Sequence, residues 1–597
     1  MEELYGHILA TASEQLRKLN SLIYRISMLR VMLFVAGIAA CFFLWGEISL
    51  LFAVLCTFIP FLSLIKYHNS LFVQKERLAL RIRICKEELA ACAYDDSAFG
   101  GGDEFIDSSH RFSFDLDVFG AHSLYQHLNR TTTGIGARQL AEWLQHPLHK
   151  KAEIEARQAA VCELAGDISF LMDFRVAGLL SMHSSTDEER LAKWAQNENS
   201  FLPHRWLCVL PFVAGTLSLV AWLMAILGWV SYLLPLLLWL AFATFSFGFT
   251  RRISRTQETF ERYWKIICSY AEMLSLVELH DFNSLSIKKL QGKLLDGELS
   301  ASASLRQLSR KLNTLDQRNN ILVTLLLNGL FFWELHEILS IERWKSKYGS
   351  PLLVWLQAIG EMEAFCGLAT FAVHHPKSIY PTVSSGTSFI FEATEMGHPL
   401  MPVEHCVKNG VNVADRPCFL LITGANMAGK STYLRVVGIN YLLACIGAPV
   451  CAGTMTFYPA SLFTAMRASD SLTENESYFF AELKRLSNIL TALKDGEELF
   501  IILDEILRGT NSVDKQRGSF ALIKQFMQLK ATGILATHDL QVAGLAKEYP
   551  KTLRNFCFEA EIQGDELSFN YKMSEGIAKN MNACFLMKKM GFEYVEV

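Results

Sequence analysis

Two kinds of apolar pattern alternate along the chain: long runs almost free of charge, and short runs that stop abruptly at polar residues. Val31 to Trp45 is apolar throughout, Gly46-Glu47 interrupts it, and Ile48 to Ile65 is apolar again. A second pair follows at Trp206 to Gly228 and Val230 to Gly248. Each run approaches the ~20 residues that a helix needs to cross a bilayer. With almost no spacer inside each pair, they predict two tight transmembrane hairpins rather than four independent spans. Core helices seldom run this long without charge, and the charged, amphipathic residues 1–30 ahead of the first run disfavour a cleavable leader.

Basic residues flank the runs: Arg25 and Arg30 before the first hairpin, Lys66 after it, Arg205 before the second, Arg251 and Arg252 after it. All lie on the long hydrophilic sides, so both hairpins are expected to enter from and return to the cytoplasm. The expectation is a multi-pass protein of the inner (cytoplasmic) membrane, with its N-terminus and large domains cytoplasmic. No charged residue inside the runs suggests a transport path.

The short runs carry the chemistry. Cys418-Phe419-Leu420-Leu421-Ile422 leads into Gly424-Ala-Asn-Met-Ala-Gly429-Lys430-Ser431-Thr432, a G-x-x-x-x-G-K-S loop between a predicted strand and a predicted helix. Its glycines let backbone N–H groups face phosphates, and the helix N-terminus adds a favourable dipole. Lys430 is expected to reach the β- and γ-phosphates of ATP and the Ser431 hydroxyl to ligate Mg²⁺. Leu499 to Leu503 is a second buried-type strand, ending in Asp504-Glu505. Asp504 is placed on Mg²⁺ and Glu505 on the attacking water. An acidic pair at a strand end is ordinarily a solvated cap, but the phosphate loop upstream favours the catalytic reading. A third short strand, Ile534-Leu535-Ala536, ends at Thr537-His538-Asp539, where His538 fits a γ-phosphate sensor.

Composition narrows the setting. At 597 residues the chain exceeds one core, and roughly 150 residues per domain predicts about three or four. Mean hydropathy is +0.22 and 19% of residues are charged, below the usual quarter or so, as the long apolar runs require. A net charge of −4 gives no global basic field for nucleic acid. The fourteen cysteines form no C-x-x-C pair, which argues against zinc and against a secreted disulfide framework.

Together these segments resemble the MutS family of ATPases, a branch of the ABC class. The resemblance rests on "TGANMAGKSTYLR" (423 to 435), "LDEILRGTNSVD" (503 to 514), "ATHD" (536 to 539) and "GHPL" (397 to 400) with Asn409. "DSLTENESYFFAEL" (470 to 483) is similar to the family's signature segment, with Ser477, Phe479 and Glu482 on its pattern. Two departures stand out: Asn475-Glu476 replaces the glycine usual before the serine, and Ala428 stands where glycine is common. Upstream, "SLYQHLNRTTTGIGARQLAEWLQHPL" (123 to 148), "EIEARQAAV" (153 to 161) and "EMEAFCGLATFA" (361 to 372) are similar to the family's core and lever regions.

The resemblance implies ATP contacts at Gly424, Asn426, Gly429, Lys430, Ser431 and Thr432, Mg²⁺ at Ser431 and Asp504, and catalysis by Glu505 and His538. It also implies a homodimer through the ATPase domains, in which Ser477 reaches the partner's nucleotide in trans. Mismatch-reading members begin with a domain carrying a Phe-x-Glu wedge; the residues before 113 leave no room for it. The second hairpin lies where the family's DNA clamp would interrupt the levers.

The expected fold is therefore an α/β P-loop (ABC-type) ATPase domain joined to a mostly α-helical core and lever region with two transmembrane hairpins. The expected division is an amphipathic segment (1–30), hairpin 1 (31–66), a helical linker (67–112), the first part of the core (113–205), hairpin 2 (206–250), lever helices (251–385) and the ATPase domain (386–597). Three functions compete: a membrane-anchored ATPase that contacts DNA without mismatch recognition, a tethered ATPase that remodels or scaffolds a protein, and an ABC-type transporter. Four short spans and the lack of an L-S-G-G-Q signature count against the last. Basic residues in the lever region, Arg306, Arg310, Lys311, Arg318, Lys345 and Lys347, are candidates for DNA contact.

Overall fold

The computed structural model describes residues 2–44, 49–180, 185–295, 297–316, 321–386, 388–414, 416–425, 427–467, 478–563 and 566–578. The chain opens with two long helices, α1 (Glu2–Phe43) and α2 (Ser49–Cys92), packed against each other. Helix α1 runs unbroken through residues 30 and 31, because neither the polar first half nor the apolar second half contains a proline. At the polar end Leu19, Ile23 and Ile26 close on Leu71. Nearby, His68 accepts from Arg30 through Nδ1 (3.1 Å) and so donates from Nε2 to Ser27 Oγ (2.9 Å). Toward the tip the apolar side chains face outward, with Phe42 79%, Phe43 81% and Phe52 75% exposed.

The far ends of these helices are fixed to a helical core by a buried charge cluster. Glu88 of α2 accepts two hydrogen bonds from Arg130 Nε (2.9 Å each), bonds Arg175 and lies 3.2 Å from His374 Nε2. Burial alone would raise the Glu88 pKa, but Arg130 and Arg175 outweigh it and hold the carboxyl well below the usual range.

The core follows as α3 (Leu124–Leu128), α4 (Gly134–Gln145), α5 (Lys151–Ala165), α6 (Ile168–Leu179) and α7 (Ser185–Gln196). Three of these helices start at side chains that satisfy free backbone donors: Ser123 to Gln126 N (3.2 Å), Thr133 to Gly136 N (3.0 Å) and Asp167 to Phe170 N (2.9 Å). Next come α8 (Arg205–Ile226), α9 (Leu233–Leu279), α10 (Leu285–Leu295), α11 (Ala301–Asp316), α12 (Ile321–Phe331) and α13 (Trp333–His374). The second apolar pair forms α8 and the start of α9, which continues without a break past residue 250 into the lever region. Helix α12, an apolar segment that the sequence reading did not single out, packs on both; Trp239 Nε1 donates to Leu326 O (3.3 Å) and Phe332 sits among Phe242 and Phe245.

Four helices are long and apolar enough to cross a membrane by length and composition: α1, α2, α8 and α13. Their surroundings differ. The most apolar stretch of α13 is 78% buried in protein, against 6%, 0% and 28% for α1, α2 and α8. Helix α13 is thus a core beam, spending its apolar surface on α4, α5, α9 and α11. It carries Glu342, which accepts the N–H groups of Ser200 (2.7 Å), Phe201 (3.0 Å) and Leu202 (2.6 Å) ahead of α8. It also carries Glu363, which accepts from Thr132 N (2.7 Å) and Thr132 Oγ1 (2.6 Å) and bonds Thr133.

The C-terminal part is α/β. Strands β1 (Thr382–Val383), β2 (Ile390–Met396), β3 (Asn409–Ala414) and β5 (Thr454–Phe457) form a small sheet in the order β1-β5-β2-β3. The larger sheet contains β4 (Phe419–Gly424), β6 (Ser461–Ala465), β7 (Leu499–Asp504), β8 (Thr532–Thr537), β9 (Leu553–Gln563) and β10 (Glu566–Glu575), in the order β10-β9-β4-β8-β7-β6. All neighbours are parallel except β9 and β10. Every residue of β4, β7 and β8 is buried, as parallel strands covered on both faces require. Helices α14 (Lys430–Cys445), α15 (Tyr478–Lys494), α16 (Ser512–Gln528) and α17 (Leu540–Ala543) complete the domain. Buried Asp115 fastens this domain to the core, accepting from Thr464 Oγ1 (2.6 Å), Arg467 N (2.9 Å) and Arg485 (2.9 Å).

Candidate nucleotide site

The site lies at the C-terminal ends of β4, β8 and β7, where an open parallel sheet leaves a crevice. The loop from β4 to α14 turns through Gly424 (φ 153°), Met427 (φ 67°) and Gly429 (φ 100°). Glycine is required at two of these for space as well as dihedral: a Cβ on Gly424 would stand 2.7 Å from Phe558 O, and one on Gly429 3.1 Å from the Tyr571 ring. Positive φ of this kind is what lets the backbone N–H groups of a loop turn toward an anion.

Lys430, the first residue of α14, is 6% exposed. Its ammonium donates to Gly424 O (2.7 Å) and Ala425 O (2.8 Å) and lies 3.5 Å from His538 Nδ1. Burial lowers its pKa to about 8, Arg508 pushing the same way and Asp504 opposing. The next residue, Ser431, donates to Asp504 Oδ2 (2.6 Å) at the end of β7. A hydroxyl and a carboxylate converging in this way form a hard oxygen pair suited to Mg²⁺. Thr432 lines the same cleft and is exposed.

Glu505 follows Asp504 in a left-handed conformation (φ 49°), as does Leu507 (φ 61°). Such turns persist when their surroundings fix them. The Glu505 N–H donates to Ala536 O (2.9 Å), and Glu482 accepts the N–H groups of Leu507 (2.5 Å) and Arg508 (3.0 Å). Burial raises the Glu482 pKa, and those backbone donors pull it back. His538, just after β8, places Nδ1 2.9 Å from Gly424 O and Nε2 2.5 Å from Glu505 Oε1. Both partners are acceptors in their usual states, so the His538–Glu505 contact holds a proton between Nε2 and Oε1. Burial lowers the His538 pKa, and so does Lys430.

The structure thus brings together Gly429, Lys430, Ser431, Thr432, Asp504, Glu505 and His538 around a cleft of about 800 Å³, with Gly424 behind it as a partner of Lys430 and His538. Asn426 and Ser477 lie outside the described residues. Sequence reasoning assigned no role to Arg508. Its guanidinium braces both carboxylates: Nε is 3.1 Å from Glu505 Oε2, and NH2 is 3.6 Å from Asp504 Oδ2 and donates to Asp504 O (2.9 Å). Its spacing of four and three from the acidic pair was the available signal. Tyr571, over Gly429, had none, because it comes from the bulge in the distant β9–β10 hairpin.

Comparison with known proteins agrees with this arrangement. The profile of MutS domain III matches residues 110–324 and that of MutS domain V matches residues 420–591, together well over half of the chain. The DNA mismatch repair protein msh-2 of Neurospora crassa is 26% identical over 511 residues, 74% of this chain and 52% of its own length. The DNA mismatch repair protein MutS of Aquifex pyrophilus is 34% identical over 226 residues, 37% of this chain and 26% of its own. MutS protein homolog 4 of Homo sapiens is 31% identical over 195 residues, 31% of this chain and 20% of its own. The chain spans about half or less of the length of these relatives. Two domain profiles in their proper order, a set of mismatch-repair relatives and a phosphate loop facing paired carboxylates lead to one conclusion: the chain belongs to the MutS family.

Proposed function

We propose that this protein is a membrane-anchored ATPase that binds ATP with Mg²⁺, dimerises through its α/β domains and acts on nucleic acid without mismatch recognition. The observation that carries the ATPase reading is the convergence of Lys430, Ser431, Asp504, Glu505 and His538 on one cleft. Lys430 is positioned to exchange its two carbonyl partners for phosphate oxygens, which charge favours. Mg²⁺, held between Ser431 and Asp504, would neutralise phosphate charge. Glu505 then orients and deprotonates water, and His538, leaving Glu505, meets the γ-phosphate.

Dimerisation is supported by Met427, an exposed apolar residue that lines the cleft. A site completed by a partner's Ser477 gives ATP a higher affinity for the closed dimer than for the open one, and that difference drives closure. The membrane anchor is supported by the outward apolar surfaces of α1, α2, α8 and the start of α9, including Leu219, Ile226 and Leu233. Surfaces of this size stay exposed in soluble proteins only at a cost.

Two measurements test the reading. Lys430→Ala is expected to weaken binding of a fluorescent ATP analogue by about 100-fold, the value of a charge-assisted phosphate contact; unchanged affinity removes the phosphate site. Full-length protein is expected to float with liposomes and resist alkaline extraction; recovery in the soluble fraction removes the anchor.

A further inference from the structure

The basic residues of the lever region separate once their partners are known. Lys345 is buried, with its Nζ donating to Glu198 O (3.3 Å) and lying over the Trp194 ring. Lys311 is bound to Ser340, and Lys347 is paired with Glu298. Arg318 lies outside the described residues. Arg306 and Arg310 are different: both are exposed and, among the described residues, neither has an acidic partner. They line a groove of about 530 Å³ between α2, α9 and α11. A third arginine, Arg77 of α2, lines it too, and its pairing with Glu272 (2.7 Å) cancels the groove's one acidic charge. Among the described residues, the groove therefore carries two positive charges without an acidic partner, with Ser275 and Ser309 hydroxyls beside them.

We propose that this groove holds the phosphodiester backbone of a nucleic acid. Arg306 and Arg310 stand four residues apart on one helix, so their Cβ atoms are about 5–6 Å apart, the scale of successive phosphates on one strand. Guanidinium forks bind phosphate oxygens in pairs, which an ammonium cannot do. A lipid headgroup fits less well. Arg77 stands twelve residues beyond Ile65, the end of the apolar run, which is about 18 Å of helix, whereas headgroups extend only about 5–8 Å from the hydrocarbon edge. Contacts of this kind fix position without reading bases, so binding is independent of sequence. Arg77 comes from α2, so the helix that leads to the first apolar hairpin also borders the nucleic acid. The proposal rests on the nucleic-acid part of the function proposed above.

The test uses full-length protein in detergent and anisotropy of a fluorescein-labelled duplex, titrated with salt from about 50 to 200 mM. The Arg306→Ala/Arg310→Ala double variant is expected to bind at least tenfold more weakly, with a log–log salt slope shallower by about two. Arg77→Ala is expected to weaken binding as well. The double lysine variant is expected to restore most of the slope but not the affinity, and Lys347→Ala to change nothing. Binding of a fluorescent ATP analogue is expected to be equal throughout. A double variant with wild-type affinity and slope overturns the groove, as does displacement of the duplex by anionic lipid in mixed micelles. No duplex binding by the wild type at low salt removes the nucleic-acid reading as well, whereas loss of ATP binding by the wild type overturns the ATPase reading alone.

Discussion

Lys430 shows how the site's charge depends on what it holds. Burial brings its pKa to about 8 in the nucleotide-free protein, while bound phosphates would keep it protonated. Above pH 8, binding must therefore take up a proton, and affinity for ATP is expected to fall up to about tenfold per pH unit between pH 8 and 10. It should stay flat from pH 6.5 to 7.5. Titrating a fluorescent analogue across this range checks the sign; affinity rising with pH contradicts it. Glu482 makes a different prediction. It fixes the strained turn after Glu505 but touches neither Lys430 nor Ser431. Glu482→Ala is expected to reduce turnover by about tenfold while changing nucleotide affinity less than about twofold, because positioning is lost and binding is not.

Two of the buried carboxylates that join the helical elements, Glu363 and Glu88, respond to pH in opposite directions. Glu363 of α13 has its pKa raised to about 7, by burial first. The folded protein keeps a proton there that the unfolded chain has released, so this group's stabilising contribution falls from about pH 4.5 to pH 7 and is level above. Glu363→Gln should flatten that part of a plot of Tm against pH. Glu88 has its pKa depressed by Arg130 and Arg175. Its contribution is complete above the usual carboxylate range and is lost as pH falls below it. Glu88→Gln leaves two buried guanidiniums short of a counter-charge and is expected to cost about 3 kcal/mol in denaturant unfolding at pH 7.

The elements also show what was legible in advance. Strands β4, β7 and β8 read directly as unbroken apolar runs, because both their faces are covered. Strand β2 did not: its burial alternates irregularly, with Glu392, Thr394 and Glu395 exposed. Helices α1, α8 and α13 are all long and apolar enough to cross a membrane, and burial separates them: α13 packs against α4, α5, α9 and α11 among others, whereas α1 and α8 face outward. The basic residues follow the same logic. Lys345 and Arg306 are equivalent in sequence, but one is inside the protein and the other faces a groove. Pairings across distant segments, such as Arg508 with Glu482 or Tyr571 with Gly429, have no local signal.

At the scale of the whole molecule, three connections link the nucleotide cleft to the outward apolar helices. Asp115 and Asp117 hold the α/β domain to the core, and Arg467 of that domain binds Asp117 (2.5 and 2.9 Å) while lining the cleft. Helix α13 runs from the base of α8 and α12 to the edge of the small sheet. The Glu88 cluster ties the end of α13 to α1 and α2. On the proposed function, closure of the cleft on ATP would pass along these connections to the outward apolar helices, as rigid levers require.

The most direct test of this account is ATP handling by the purified full-length protein and its Glu505→Gln variant, with radiolabelled ATP and Mg²⁺. The wild type is expected to release phosphate steadily, and the variant to retain ATP as a dimer without releasing phosphate. Equal phosphate release by the two proteins would contradict it.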